Sequence, residues 1–249
     1  MDIWQLYESR IRNSGATFRE ESLRRDQHYL RTKIDQSLSY FQVEIDGQSR
    51  EVAMINSDNL NEKYMYSMPG EDIRCGSMVY WMDNYWIVTE RDANIEVYTK
   101  VKLLQCNYLL KWIEVIDDVP KIFEQHCVVE DGTKYMTGEI EDRNFIVTRG
   151  DTRIALTIPK TNHTIKFNRQ SRFLVDDVDS STKMSFVITK PLRIGNTYNG
   201  DGILKFVLSE TNTTDYDNFD LMIPDYYKYF PVEDDTYLPT VGVERRTWI

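Results

Sequence analysis

Cysteine, histidine and proline are all scarce in this chain of 249 residues, with three, three and seven copies. Cys75, Cys106 and Cys127 are odd in number and far apart, which argues against a disulfide framework and for a reducing compartment. His28, His126 and His163 have no second metal-type ligand at helical or strand spacing, so no metal and no cofactor is expected. Seven prolines and eleven glycines exclude collagen-like and low-complexity chains. No apolar run approaches the roughly 20 residues that cross a bilayer. The opening Met1-Asp2-Ile3-Trp4 lacks the basic and apolar regions of a secretory signal, so synthesis in a reducing cytoplasm is the expectation. No Walker loop, GxGxxG, GxSxG or HExxH is present either.

A basic excess is missing as well. Thirty Lys+Arg face 40 Asp+Glu, a net charge of −10, which disfavours tight binding in a nucleic-acid groove. Acidic walls remain compatible with a polyanion sliding past. What the chain does have is a globular share of hydrophobic residues, 41%, and 16 tyrosines. Tyrosine couples a large apolar face to a polar tip, which suits half-buried sheets and wet interfaces.

The periodicities predict a mainly β fold of two or more small barrel- or sandwich-like blocks behind a short N-terminal helical segment. The expected divisions are the helical segment 1–39, β blocks 40–118, 119–164 and 165–229, and an extended C-terminal arm 230–249. Thr17-Phe18-Arg19-Glu20 has capping-box spacing, and Leu23, Leu30, Ile34 and Leu38 recur at roughly helical intervals, with the helix ending before Ile34. A shorter helix is expected near Asp2 to Arg12, broken off by Gly15. From Tyr40 onward apolar residues alternate: Phe41, Val43 and Ile45, then Val97, Thr99, Val101 and Leu103. Turns are expected at Asp46-Gly47, Met82-Asp83-Asn84, Asp131-Gly132, Gly150-Asp151 and Gly200-Asp201-Gly202. Asp117-Asp118-Val119-Pro120 reads as the boundary before the second block. A rhythm recurs: Val79-Tyr80, Trp86 to Thr89 and Lys100 to Leu104 are echoed by Phe173 to Val175, Phe186 to Thr189 and Leu204 to Leu208. A duplicated barrel or an ordinary meander accounts for it equally.

Candidate chemistry is thin. His126 and Cys127 are neighbours on a strand and point to opposite faces, so they make no local nucleophile–base pair. Asp176-Asp177-Val178-Asp179 opens like a calcium loop, but Thr182 stands where glycine is needed and Ile188 where glutamate is needed. A solvated turn is the better account, as it is for Glu71-Asp72-Ile73-Arg74. An enzyme is not expected. Asp225-Tyr226-Tyr227-Lys228-Tyr229-Phe230 is the densest aromatic cluster; it suits either an interface anchor or a terminal strand on its own sheet. Tyr226, Tyr227, Tyr229 and, on the arm, Trp248 are the candidate interface residues.

Several longer strings resemble virion proteins of tailed bacteriophages of Gram-positive hosts. They are Ile55 to Lys63 with Pro69-Gly70-Glu71-Asp72-Ile73, Trp81 to Glu90, Cys106 to Trp112, and Asp217 to Tyr227. These relatives are similar to head-closure or head–tail connector components. The resemblance implies small β-barrels in a homo-oligomeric ring of six or twelve copies at the neck. It implies a portal or adaptor protein and tail-completion proteins as partners, with genomic DNA passing without sequence-specific binding and no membrane. It marks no functional positions. A tail-associated or receptor-binding β module is the alternative.

Overall fold

The computed structural model describes residues 2–15, 17–92, 96–131, 153–175, 184–192, 196–198 and 200–231. The chain forms two compact units, Met1–Leu104 and Gln105–Ile249. The stretch 40–118 is therefore shared between them, with its last strand in the second unit.

The first unit opens with helices α1 (Ile3–Ser14) and α2 (Phe18–Lys33). The Thr17 side chain accepts the Glu20 N–H at 3.2 Å, so the capping spacing sets the start of α2 as expected. A 3₁₀ turn at Ile34–Gln36 follows, and Ile34 is buried. Leu38, expected to extend the apolar stripe, is fully exposed, because the helix has ended before the period reaches it.

Six strands then make a closed antiparallel barrel: β1 (Tyr40–Ile45), β2 (Gln48–Asn56), β3 (Glu62–Ser67), β4 (Met78–Trp81), β5 (Asn84–Asp92) and β6 (Lys100–Gln105). Around the barrel they run β1-β2-β3-β6-β5-β4. The alternating residues face inward: Val43, Ile45, Val52, Met65, Val101 and Leu103 are all at most 4% exposed. Asp46 and Gly47 both adopt positive φ (49° and 78°), as do Met82 and Asp83 (48° and 59°), which matches a two-residue hairpin turn to right-twisted strands. The Glu71-Asp72-Ile73-Arg74 segment does more than turn. Ile73 is 1% exposed in the core, and the Glu71 carbonyl accepts from the hydroxyls of Ser67 (3.1 Å) and Thr99 (2.9 Å).

The second unit contains β7 (Tyr108–Ile116), β8 (Val119–Asp131), β9 (Arg153–Pro159), β10 (Arg172–Leu174), β11 (Ser185–Leu192), β12 (Thr197–Tyr198) and β13 (Asp201–Thr211). Its sheet runs β7-β8-β9-β13-β11-β10, with β12 paired to β13. The sheet curls almost shut: the Tyr108 hydroxyl on β7 donates to the Leu174 carbonyl on β10 at 3.0 Å. Asp117-Asp118, expected as a boundary, is instead the turn of the β7–β8 hairpin, with φ of 52° and 60°. Aspartate tolerates this left-handed region better than most residues, so the pair substitutes for Asn-Gly. Pro120 fits because β8 pairs with β9 from Val128 to Asp131, so its missing N–H falls on a stretch with no second neighbour among the described residues. Phe167 sits at the hub of the core, 5.0 Å from the rings of both Trp112 and Phe173.

The two sheets have the same topology. If the hairpin strand β12 is set aside, first-to-sixth strand order is 1-2-3-6-5-4 in each. The recurring rhythm of the sequence falls on equivalent strands, β4-β5-β6 and β10-β11-β13. Asp131-Gly132, Gly150-Asp151, the Asp176 to Asp179 loop and the arm beyond 231 fall wholly or partly outside the described residues.

Candidate functional site

The aromatic cluster singled out from the sequence forms a short helix, α3 (Tyr226–Tyr229). Tyr226 is 7% exposed, with its ring 5.3 Å from Tyr227 and 5.0 Å from Phe230. The Tyr227 hydroxyl accepts from the Asn218 amide at 3.3 Å. Tyr229 is the exposed member of the three, at 38%, and Trp248 lies outside the described residues. Tyr226 is therefore spent on the packing of its own unit, whereas Tyr229 stays at the surface.

What holds the segment to the second sheet is a buried ionic clasp. Arg172 on β10 donates to both Asp217 oxygens, at 3.3 and 2.8 Å, and to Asp225 at 3.1 Å. It also reaches the Ser185 hydroxyl and the Asn212 carbonyl. The Asp217 side chain is wholly buried and accepts the backbone N–H groups of Thr214 and Asp225, at 2.8 and 2.9 Å. Burial pushes its carboxyl pKa up, but those two N–H groups and the guanidinium outweigh burial and hold it below the ordinary range. Sequence reading missed the clasp because its members are 45 residues apart.

Among the described residues, the remaining titratable groups form one further cluster. His163 Nδ1 lies 2.8 Å from a Glu114 oxygen, Lys166 pairs with the other oxygen, and Phe123 stacks on the imidazole at 4.2 Å. Burial raises the Glu114 pKa, but hydrogen bonds from Lys166 and His163 override it in the downward direction. His28 lies exposed on α2, and His126 is half-buried on β8 with its pKa lowered by burial. Among the described residues the cysteines form no disulfide. Burial pushes the half-buried Cys106 thiol up to about 12 and the buried Cys127 thiol up as well, the opposite of the shift that activates a nucleophilic cysteine. No group of three or more His, Cys, Asp or Glu among the described residues is placed to hold a metal ion.

Two surface features of the first unit stand out. Helix α1 leaves Ile3 (81%), Trp4 (71%), Leu6 (53%) and Tyr7 (57%) exposed. On the barrel, the β1–β4 seam has just two residue pairs, Glu44↔Tyr80 and Ile45↔Val79, against six between β1 and β2. Where the strands part, a cleft of about 460 Å³ opens, lined by Gln42, Glu44, Ser49, Tyr80, Met82 and Asp83 among others. Tyr80 and Tyr85 stand side by side at its edge, with ring centroids 4.9 Å apart. The Tyr80 hydroxyl donates to Asp83 at 3.0 Å, and the Gln42 amide donates to the Ser49 hydroxyl at 2.8 Å.

Residues 17–105, from the cap of α2 to the end of β6, match the family model of the YomX N-terminal domain. That family is phage-derived, of the kind found in Bacillus phage SPBc2. The match points to a bacteriophage protein. It covers about a third of the chain and takes in the whole first barrel. No curated protein and no solved structure matches the chain. Among the described residues, no helix is long and apolar enough to cross a membrane.

Proposed function

We propose that this protein is a structural component of a tailed-phage virion, part of the neck that joins the DNA-filled head to the tail. The observation that carries this reading is the match of the first barrel to a phage-derived domain. The tandem barrels, the resemblance of the longer strings to head-closure proteins and the net charge of −10 agree with it. Such a part works by packing rather than by catalysis. It forms a homo-oligomeric ring of six or twelve copies between portal or adaptor and tail-completion proteins, and its acidic surface lets DNA pass without adhering.

The test is to tag the gene in its phage, purify virions and locate the tag by immunogold electron microscopy. Label at the head–tail junction, and DNA-filled heads without tails when the gene is deleted, are the expected results. Label at the tail tip, with normally joined heads and tails, overturns the neck reading in favour of a receptor-binding module.

A further inference from the structure

The first unit carries two surfaces that differ in chemistry and match each other. One is α1. At about 100° per residue, Ile3, Tyr7 and Ile11 line up along the helix, with Trp4 to one side and Leu6 and Arg10 to the other. A helix of 12 residues is marginal in water by itself, so covering its apolar stripe would add to its stability. Helix α2 beside it has no buried residue, and Phe18 at its start is 83% exposed.

The other surface is the cleft at the β1–β4 seam. Its charged lining residues are both acidic, Glu44 and Asp83, and its edge carries the Tyr80–Tyr85 ring pair and Met82, which is 62% exposed. Carboxylates beside aromatic faces suit a guanidinium, which hydrogen-bonds the former and lies flat on the latter. The charge distribution along the chain fits this pairing. Residues 1–39 hold seven Lys+Arg against six Asp+Glu, whereas the rest holds 23 against 34. None of the cleft's lining residues comes from the helices.

We infer that α1 of one copy docks on the seam cleft of a second copy. Trp4 and Tyr7 cover Met82 and the tyrosine pair, and Arg10, on the same face of α1, enters between Glu44 and Asp83. Because the two patches differ, the contact is head-to-tail and propagates around a ring instead of closing as a two-fold dimer. The inference rests on the self-assembly proposed above and names the surfaces that carry it. It also moves the interface from the tyrosines of α3 to the opposite end of the chain.

The test uses the full chain in sedimentation velocity over a concentration series, at about 0.05 M and about 0.5 M salt, where screening differs severalfold. Four proteins are compared: wild type, E44K/D83N, R10E and the combination of all three changes. Asn is chosen at position 83 because it tolerates the positive φ there. Circular dichroism checks that each variant folds. The expected results are self-association of the wild type that weakens with salt, and a loss of about tenfold or more in affinity for E44K/D83N and for R10E. The combination should recover most of that loss, and a W4S/Y7S variant should be monomeric at either salt. A wild type that stays monomeric at about 0.1 mM, or a combination no better than its parents, overturns the contact. Virion labelling is read separately, so a monomer in solution that still labels the neck overturns this inference and leaves the neck reading standing.

Discussion

Replacing Asp217 by alanine removes the centre of the clasp that ties residues 212–230 to the second sheet. The wild-type carboxylate is wholly buried and accepts from two backbone N–H groups and from both terminal nitrogens of Arg172. Deleting one partner of a buried ion pair costs about 3–5 kcal/mol. The Arg172 side chain, however, keeps 16% of its surface in water and retains Asp225, so the low end applies. The expected loss is about 3 kcal/mol, or on the order of a hundredfold in the local opening equilibrium. Hydrogen exchange followed by mass spectrometry reads this directly. Peptides covering 212–230 should lose about two decades of protection, while those of the first barrel do not change. Acid should reproduce the effect in the wild type. Asp217 is held below its ordinary pKa, so its stabilisation is complete above the unfolded value of about 3.9 and is lost as pH falls through the lower folded value. Asp217→Asn should be weakened at neutral pH and should lack this acid dependence. Protection in the alanine variant within about threefold of wild type would refute the assignment of the clasp as the anchor of this segment.

Gly202 sits at φ +143°, and a Cβ there would overlap the Asn196 carbonyl and lie 2.7 Å from Thr197 Cα. Gly202→Ala should therefore cost at least about 2 kcal/mol, seen as a lowered midpoint for the second unit in urea. Thr17→Ala removes the N-cap of α2 and should cost about 1 kcal/mol, read as a loss of far-UV helical signal on mild heating. With its thiol buried and pushed up, Cys127 should resist iodoacetamide at about pH 8 in the native protein and react within minutes once it is unfolded; rapid native labelling of Cys127 refutes the burial.

Local signals were the most legible part of the fold. The period-2 runs from Phe41 to Ile45 and from Val101 to Leu103 mark inward faces, and Asp46-Gly47 and Met82-Asp83 mark turns, because each depends on residues adjacent in sequence. Asp117-Asp118 was misread for a physical reason. Two like charges with a proline two residues on look like a boundary between blocks, and their fitness for left-handed φ shows only when the long β7 and β8 strands pair around them. Ile73 was hidden in the same way, since a single apolar residue in a polar turn has no period to announce that it enters a core. The candidate site was less legible still. The tyrosines of 226–229 were visible as a cluster, but the burial of Tyr226 depends on Phe230 and on the distant Arg172 clasp. The seam cleft joins Glu44 to Asp83 through a closure of the barrel that no local pattern encodes.

The 1-2-3-6-5-4 strand order has a mechanical consequence. In a six-membered circuit it puts the first strand and the last on opposite walls, so a pull between the two ends of the first barrel acts across its whole width. The last strand, β6, is gripped on both sides, by β3 and β5. The first strand, β1, has a full ladder on one side and two residue pairs on the other. Under tension the β1–β4 seam, two residue pairs extended by the Asp46–Met78 hydrogen bonds, is expected to yield before the six-pair β1–β2 ladder. A partner seated across that seam would act as a rivet.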